Sequence, residues 1–544
     1  MLVISFFFCQ QTRIRRRTPI VALGVALLAA QMLAAWSRAG EEPPVPFFIQ
    51  DYLVEGVTQL PPIAIEKAVY PFLGPERTAR DVEKARAAVE GAYHKHGFQT
   101  VQVTIPPQPT GLTVRLVVLE VPVGRLRVLG AQYSSPNRLK SLAPSLAEGK
   151  VIDFNQVSGD MVALNQLPGR QVTPSVRSGV NPGTVDVDLE VKEKSPVHAS
   201  AELNNRRSSG TTPLRLTVAV SDGNIAQSGH AAGLTYQTSP QAASEVRVFS
   251  AYYLARFPAL DGIGFQLQGT KQDSNVSTLG SVAVAGRGQT VGLRVNFDLP
   301  SDPAFVQSAS AGVDYKNFDQ TVNLAATATA PASVLVTPIK YYPLSANYAA
   351  TWTAKHSSTE ANAGLTFHVR GMGGNSAQFL NNRYGADGNF IVFHSDFSHE
   401  HDLPGGFQVY GKVLGQIADQ PLISNEQLSG GGVGTARGYL EAEALGDSGI
   451  FGTVELRSPS LLGLLGRTKG DWRFYGFYDA GRLTIDQPLP DQASRFSFAS
   501  YGIGTRLQLF DHFDGSVAVA CPRSSVGQTT IKTVRTSFRA DVSY

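Results

Sequence analysis

Apolar and polar residues alternate with a period of two along most of the chain after Ser195. The segment "VGLRVNFDL" shows this alternation clearly: one face carries Val291, Leu293, Val295, Phe297 and Leu299, and the other carries Gly292, Arg294, Asn296 and Asp298. Successive side chains of a β-strand point to opposite faces, so the pattern predicts strands with one apolar face and one polar face. A soluble β-sandwich alternates in the same way, and the pattern alone does not separate the two architectures.

The positions of the charges favour a membrane barrel. Arg294, Asp298, Arg539 and Asp541 all fall on polar faces, while Val, Leu, Phe and Tyr occupy the opposite faces. Lipid outside and water inside require this arrangement, and closure removes the strand edges that lipid cannot solvate. At roughly 20–22 residues per strand and connection, residues 195–544 predict a transmembrane antiparallel β-barrel of about 16 strands. The chain ends on an alternating strand with Tyr544, which suits barrel insertion.

The chain before Ser195 combines helical and strand patterns. Apolar Val82, Ala85, Val89 and Tyr93 recur near helical spacing, and alternating segments flank this stretch. Residues 45–123 therefore predict the order strand, helix, helix, strand, strand, and residues 124–194 predict the same order again. Two copies of about 75 residues form an internal repeat. Two unrelated α+β domains are the alternative interpretation.

The first 39 residues have the composition of an export signal. Four arginines between residues 13 and 17 precede the apolar run "PIVALGVALLAAQMLAA", and Ser37 and Ala39 are small residues suited to cleavage. The apolar run is shorter than the roughly 20 residues needed to span a bilayer, which disfavours a retained anchor. Because Cys9 lies in this leader, we expect the mature chain to keep only Cys521, placed in a loop, and to form no internal disulfide.

Charge and motifs give no indication of nucleic-acid binding or catalysis. The net charge is +3, and no dense Lys/Arg block follows the first twenty residues. The glycine-rich "GGGVGTARG" lacks the Lys-Ser/Thr of a phosphate loop, and no Gly-x-Ser-x-Gly elbow is present. His394, His399 and His401 are interpreted as part of a strand end and a short periplasmic turn, not as metal ligands. We therefore predict no enzymatic activity, no metal and no cofactor.

One connection of the predicted barrel is much longer than a hairpin needs. Counting strands back from the C-terminus, residues 420–449 join the sixth-from-last strand to the fifth-from-last and face outward. In the fourth-from-last strand, Asp479 would be costly in lipid and must point into the lumen. In the third-from-last strand the alternate positions from Tyr501 to Leu509 suit lipid, which places Gly502, Gly504 and Arg506 on the lumen side. The two glycines leave space there against the wall.

The residues around this connection resemble three motifs of one outer-membrane superfamily. The motifs are Arg437-Gly438-Tyr439, Phe477-x-Asp479-x-Gly481 and Gly502-x-Gly504-x-Arg506. That superfamily includes the barrel-assembly insertase and the transporters of two-partner secretion. The resemblance implies that the long loop folds back into the lumen and that Arg437 pairs with Asp479. Ala436 departs from the pattern, in which a branched residue more often precedes the arginine.

The two front units resemble polypeptide-transport-associated (POTRA) domains, and two such units match the two-partner secretion branch, the TpsB haemolysin/haemagglutinin exporters. The expected protein is an outer-membrane transporter with periplasmic POTRA domains that secretes, and can activate, one large partner exoprotein. Its other partners would be outer-membrane lipid and the barrel-assembly machinery that inserts it, with no nucleic acid. The alternatives are a barrel-assembly or insertion factor, an outer-membrane enzyme, and a passive porin with simple porin activity.

Overall fold

The computed structural model describes residues 46–544, apart from residues 166, 168, 258–259, 261, 274–275, 280–281, 286, 303, 325–332, 465, 467–468, 491 and 511. The predicted leader, residues 1–39, lies outside the described residues. By its internal contacts the chain divides into two compact bodies, and this division differs from that between the two α+β units described below. The first comprises the described residues up to Leu129 with Leu139–Leu164 and Val172–Glu190, and the second comprises Gly130–Arg138, Asn165–Gln171 and Val191–Tyr544.

The N-terminal part of the chain mixes short strands and helices, with single 3₁₀ turns at Tyr70–Phe72 and Pro144–Leu146. In chain order the elements are β1 (Phe47–Ile49), β2 (Asp51–Glu55), α1 (Pro62–Val69), β3 (Gly74–Arg77), α2 (Ala79–Lys95), β4 (Gln102–Thr104), β5 (Thr113–Leu119), β6 (Val123–Leu129), α3 (Pro136–Ser141), α4 (Phe154–Leu164), β7 (Arg170–Ser178) and β8 (Val185–Glu193).

The first α+β unit is built on a three-stranded sheet in which β5 lies between β2, which is parallel to it, and antiparallel β4. Helix α2 begins at a capping box formed by Thr78 and Asp81, which satisfies orphan backbone donors of the first turn. Its buried face carries the apolar residues that the helical spacing predicted. The pair of β1 with β3 was not predicted, because the β3 sequence Gly-Pro-Glu-Arg has no apolar alternation.

The second α+β unit repeats a specific device of the first. Gly56 has a φ of +82°, and a Cβ there would lie 2.4 Å from the Val118 carbonyl oxygen; Gly130 has a φ of +81°, and a Cβ there would lie 2.5 Å from the Val191 oxygen. Only glycine fits either position.

A glutamate recurs in the same place in both units. Two residues after each valine a glutamate accepts backbone hydrogen bonds: Glu120 from residues 58 and 59, and Glu193 from residues 132–134. The second sheet also pairs its first strand, β6, in parallel with its last, β8. These equivalences support an internal repeat over two unrelated domains.

The described residues of the rest of the chain are mostly β-strand, with two short helices, α5 (Ser376–Asn382) and α6 (Leu461–Leu464), and a 3₁₀ turn at Pro404–Gly406. The strands are β9 (Val197–Asn204), β10 (Arg215–Ile225), β11 (His230–Thr238), β12 (Arg247–Arg256), β13 (Ile263–Asp273), β14 (Val276–Leu279), β15 (Val282–Ala285), β16 (Arg287–Asp298), β17 (Phe305–Leu324), β18 (Ser333–Tyr341), β19 (Leu344–Ala354), β20 (Ser357–Phe367), β21 (Ile391–Asp402), β22 (Gln408–Ala418), β23 (Leu428–Gly430), β24 (Ala444–Gly446), β25 (Ser448–Arg457), β26 (Asp471–Thr484), β27 (Arg495–Leu509), β28 (Phe513–Pro522) and β29 (Arg535–Ser543).

These strands close into an antiparallel barrel in which β29 pairs with β9. Strands β18 and β19 pair with successive halves of the long β17 and form one wall strand interrupted at Pro343. Counted in this way, the described residues form a 16-stranded barrel, and the predicted architecture is confirmed. The pairs β14–β15 and β23–β24 lie outside the wall sheet.

The two faces of the wall are as the alternation predicted. Val291 and Leu293 on β16 are exposed on the outer face, while Arg294 forms a bidentate pair with Asp314 of β17, its Nη1 and Nη2 lying 2.8 and 2.9 Å from the two carboxylate oxygens. Among the described residues no helix is long and apolar enough to cross a membrane.

Candidate functional site: an arginine-anchored loop inside the barrel

The connection between β22 and β25, residues 419–447, folds into the barrel; we call it the infolded loop. Strands β23 and β24 pair with each other at its base. Ala436 and Tyr439 are buried in an apolar cluster with wall residues Phe451, Leu483 and Phe498. The loop is therefore packed against the inner wall and does not extend into solvent.

Arg437 lies in the infolded loop and is only 6% exposed. Its backbone N–H and Nε donate to Asp479 Oδ2 at 2.9 and 2.8 Å, and its Nη2 donates to Oδ1 at 2.7 Å. Nη1 donates to Glu455 Oε1 at 2.5 Å. The structure thus brings Arg437 and Asp479 together through three hydrogen bonds and adds a second carboxylate on β25.

Glu455 connects this pair to two further arginines. Arg457 Nε lies 3.0 Å from Glu455 Oε2, and Arg506 Nη2 lies 3.1 Å from Oε1. The sequence motifs include Arg506 but not Glu455 or Arg457. The signal that could have identified Glu455 is its even spacing from Arg457 on a lumen-facing strand, but several other lumen acids have similar positions.

The glycines of the third motif, Gly502 and Gly504, make room for two aromatic rings of the wall, Phe477 and Tyr475. We call these two rings the aromatic floor under Arg437. A Cβ at Gly502 would lie 2.5 Å from the Phe477 ring, and one at Gly504 would lie 2.4 Å from the Tyr475 ring. The Arg437 guanidinium carbon lies 3.6 Å from the centroid of Phe477, close enough for a cation–π interaction. The space that these glycines leave is therefore occupied by neighbouring wall aromatics, and the arginine stacks on them.

Gly438 and Tyr439 connect the loop to the last strands of the barrel. Gly438 has a φ of +93°, which favours glycine, and its carbonyl accepts a hydrogen bond from Arg535 Nε at 3.2 Å. The Tyr439 hydroxyl donates to either the Ala499 or the Ser524 carbonyl oxygen, at 3.0 and 2.8 Å.

Gly481, the last residue of the second motif, does not touch the arginine. A Cβ there would lie 2.0 Å from the Phe451 ring, so this glycine makes room for the apolar cluster that packs beneath the loop.

The electrostatics of the arginine follow from its carboxylate partners. Burial alone would lower the pKa of the Arg437 guanidinium, but the hydrogen bonds to Asp479 and the charges of Asp479 and Glu455 raise it above its usual range. The guanidinium is therefore charged at any physiological pH. Cavities of about 340, 180 and 400 Å³ border the turn and share Arg206, Val433 and Arg437 as lining residues, so the loop leaves part of the lumen open.

Two smaller expectations need correction. His394, His399 and His401 all lie on β21, and the turn begins only after Asp402. Cys521 lies on β28 and not in a loop. Within the part of the chain that the structure describes, no group of three or more His, Cys, Asp or Glu side chains is arranged to hold a metal ion.

Comparison with known proteins identifies the family. The family model "Haemolysin secretion/activation protein ShlB/FhaC/HecB" matches residues 183–507, more than half of the chain, and the ShlB-type POTRA domain model matches residues 47–120. The chain belongs to the ShlB/FhaC/HecB family. Like the family, it is a two-partner secretion transporter of the outer membrane with POTRA structure in the periplasm.

Individual relatives are distant in sequence. The heme/hemopexin transporter protein HuxB of Haemophilus influenzae (strain Rd) is 20% identical over 391 residues, which cover 71% of this chain and 67% of HuxB. A second Haemophilus influenzae HuxB is 20% identical over 458 residues, covering 82% and 78%.

Solved structures share the fold. CdiB from Escherichia coli has a TM-score of 0.60 at 18% identity, with 98% of this chain and 100% of that chain covered. BamA from Haemophilus ducreyi, lacking POTRA domains 1–3, has a TM-score of 0.53 at 14% identity, with 92% and 100% covered. The likeness to BamA is one of fold alone, and the family match favours the secretion branch over the insertion factor.

Proposed function

We propose that the infolded loop is the gate of the secretion channel and that Arg437 is its latch. The observation that supports this is the set of contacts that Arg437 makes. This buried loop arginine bonds both oxygens of Asp479 and one oxygen of Glu455 on the inner wall. A loop held at this point obstructs the channel, and a path for an extended polypeptide opens only when the loop both leaves this point and moves out of the lumen.

The free energy that the Arg437 ion pair contributes is compatible with a loop that has to move during secretion. Breaking a buried ion pair by removing one partner costs about 3–5 kcal/mol, because the other charge is left without compensation. The open cavities beside Arg437 admit water and lower that cost. The latch is thus strong enough to define a closed state without preventing opening.

The transported partner is a single exoprotein that reaches the periplasm unfolded, and the two α+β units capture it. Their sheets have the strand orders β2-β5-β4 and β6-β8-β7, which leave edge strands that an extended segment could join by strand addition. Strand β7 carries Pro174, a residue that sheets tolerate at an edge. We infer that the chain acts by binding and conduction and carries no catalytic activity of its own.

Replacement of Arg437 by alanine tests the latch. The variant should insert as a folded barrel, since the wall strands keep their pairing, but secretion of the partner should fall by about tenfold or more, the factor that corresponds to roughly 1.4 kcal/mol. The reason is that an unanchored loop occupies the lumen in many positions and has no defined closed state to return to. Single-channel conductance in planar bilayers should fluctuate more than in the parent.

The matched control is Arg247→Ala, which removes an exposed Arg–Asp pair from the same barrel. Exposed pairs contribute about 0–1 kcal/mol, so this variant should secrete normally. Normal secretion and unchanged conductance by Arg437→Ala would overturn the latch.

A further inference from the structure

The neck of the infolded loop, residues 419–427 and 444–447, contains a second buried charge. Asp447 is fully buried, with 0% exposure. A carboxylate out of contact with water is costly unless hydrogen bonds and opposite charge compensate it. The partners of Asp447 therefore show which parts of the molecule meet at this point.

Asp447 connects both ends of the loop to two other extracellular connections. Its Oδ1 accepts hydrogen bonds from the Leu422 N–H at 2.9 Å and from Gln427 Nε2 at 2.8 Å, both in the opposite limb of the neck. Its Oδ2 accepts from the Asp486 N–H at 2.7 Å, in the connection 485–494. Arg383, in the connection 368–390, places Nη2 3.7 Å from Oδ2 and donates to the Asp486 carbonyl oxygen at 2.9 Å.

Wall side chains hold the same two limbs. Gln416 Nε2, on β22, lies 3.0 Å from the Glu426 carbonyl oxygen and 3.1 Å from that of Asp447, and it carries two N–H groups with which to donate to them. Glu426 Oε1 accepts from Lys316 Nζ and from the Tyr341 hydroxyl, each at 2.6 Å.

Apolar packing seals the neck from outside. Leu422 and Ile423 are 1% exposed and belong to a buried cluster with residues of the wall and of the connection 368–390. The other members of the cluster are Phe318, Ile339, Tyr341, Phe379, Ala386, Phe390 and Val392. The connection 368–390 thus covers the limb that Asp447 holds.

We propose that Asp447 is a positioning residue that fixes the neck of the gate, so that during secretion the turn around Arg437 moves while the neck stays attached. This inference rests on the gating role proposed above. The neck and the latch are separate anchors: the first ties the loop to extracellular connections, and the second ties it to the inner wall.

Asp447→Ala and Asp447→Asn, made in the full chain in lipid, test this anchor. Asparagine retains an oxygen that can accept from Leu422 and Gln427, but its amide group would face the Asp486 N–H. Peptides covering 420–427 and 485–487 should exchange amide hydrogens about tenfold faster or more in Asp447→Ala than in the parent, and by less in Asp447→Asn. Arg437→Ala should accelerate exchange at 433–439 and leave 420–427 unchanged. Secretion should fall in Asp447→Ala and recover in part in Asp447→Asn.

The control is Arg370→Ala, which removes an exposed charge from the connection 368–390 and leaves Asp387 in place. It should change neither exchange in the neck nor secretion. Unchanged exchange at 420–427 in Asp447→Ala would overturn the anchor. Faster exchange with normal secretion would overturn its part in gating while Arg437→Ala still reports on the latch. A lack of effect of Arg437→Ala alone would remove the latch and leave the neck anchor standing.

Discussion

Arg437 presents three side-chain donors to three oxygens of two acids, a geometry that suits a guanidinium and not an ammonium. Lysine would keep the charge but lose the planar fork that bonds Asp479 on both oxygens while reaching Glu455. Each lost charge-assisted bond removes about 1.5–3 kcal/mol at most, and less beside a watery cavity.

We therefore expect Arg437→Lys to secrete at a level closer to Arg437→Ala than to the parent. Secreted partner in the culture medium is the measurement, normalised to barrel in the outer membrane. Arg247→Lys, which changes an arginine of an exposed ion pair, is the matched control and should leave secretion unchanged. Full secretion by Arg437→Lys would mean that charge alone holds the loop.

A second residue-scale prediction concerns the first α+β unit and pH. Burial would raise the pKa of Glu120, but hydrogen bonds from Thr58, from the Gln59 N–H and from the Tyr93 hydroxyl outweigh it and hold the pKa below its ordinary value of 4.5. A lowered carboxyl pKa stabilises the folded state above the ordinary pKa, and the stabilisation is lost as pH falls through the folded-state pKa.

Amide exchange at Thr58 and Gln59, corrected for the intrinsic rate, should therefore be slow at pH 6 and accelerate below pH ~4.5. Glu120→Gln should remove most of this pH dependence, whereas Glu66→Gln, on an exposed helix position, should retain it. Protection that is equally pH-dependent in Glu120→Gln would assign the effect to another group.

At the scale of elements, glycines on opposite faces of the wall differ in what a side chain would meet. A Cβ at Gly502 would lie 2.1 Å from the Val519 carbonyl oxygen and would also contact the Phe477 ring. Neither the backbone of β28 nor this ring leaves space for a side chain. At Gly476, on the lipid side, the nearest atom is 4.0 Å away.

Gly502→Ala should therefore destabilise the folded barrel by about 1–3 kcal/mol through overpacking, and so lower its folded fraction. It should also displace the Phe477 ring that lies under Arg437. Gly476→Ala should be tolerated. Heat-modifiable electrophoretic mobility measures the folded fraction, and secretion by the surviving folded protein measures the effect on the floor. Equal behaviour of the two variants would contradict the assignment of faces.

The sequence predicts which face of a strand a residue lies on better than it predicts the pairing register between strands. This explains why Glu455 was not predicted. A period of two places Asp479 and Phe477 on the lumen side without any knowledge of their neighbours. Glu455 becomes a partner of Arg437 only because β25 and β26 pair with Glu455 opposite Phe477, and a shift in that register would separate them. The junction of β18 with β19 also depends on pairing, since both halves meet the same long strand.

The neck was missed for a related reason. Asp447 reads in the sequence as one of several acids after Tyr439, and only the packing of three separate connections shows that it is buried among donors. The motif that resembles other transporters covers the tip of the loop, so resemblance directed attention to the latch. Helix α5 and the cluster around Phe379 lie in a connection whose sequence has little periodicity.

At the scale of the whole molecule, a gate implies that the loop and the wall separate during each secretion event. A Cβ at Gly438 would lie 3.2 Å from the Ala520 Cβ, close to the 3.5–4.5 Å that a disulfide spans, so Gly438→Cys with Ala520→Cys would link the tip of the loop to β28. Cys521 is the neighbouring residue and must be replaced by serine to prevent mispairing.

The linked protein should secrete little under oxidising conditions and recover when a reductant opens the bond, because a tethered tip cannot leave the lumen. The single variant Gly438→Cys measures the separate cost of placing a side chain at a φ of +93°, which is unfavourable for any residue with a Cβ. If the double variant secretes at the same level oxidised and reduced, the exoprotein passes without displacement of the tip, and the route would then have to run through the cavities beside Arg437. The infolded loop lines each of those cavities through Val433 and Arg437, so a chain that passes there meets the loop, and movement of the loop is the outcome that the geometry favours.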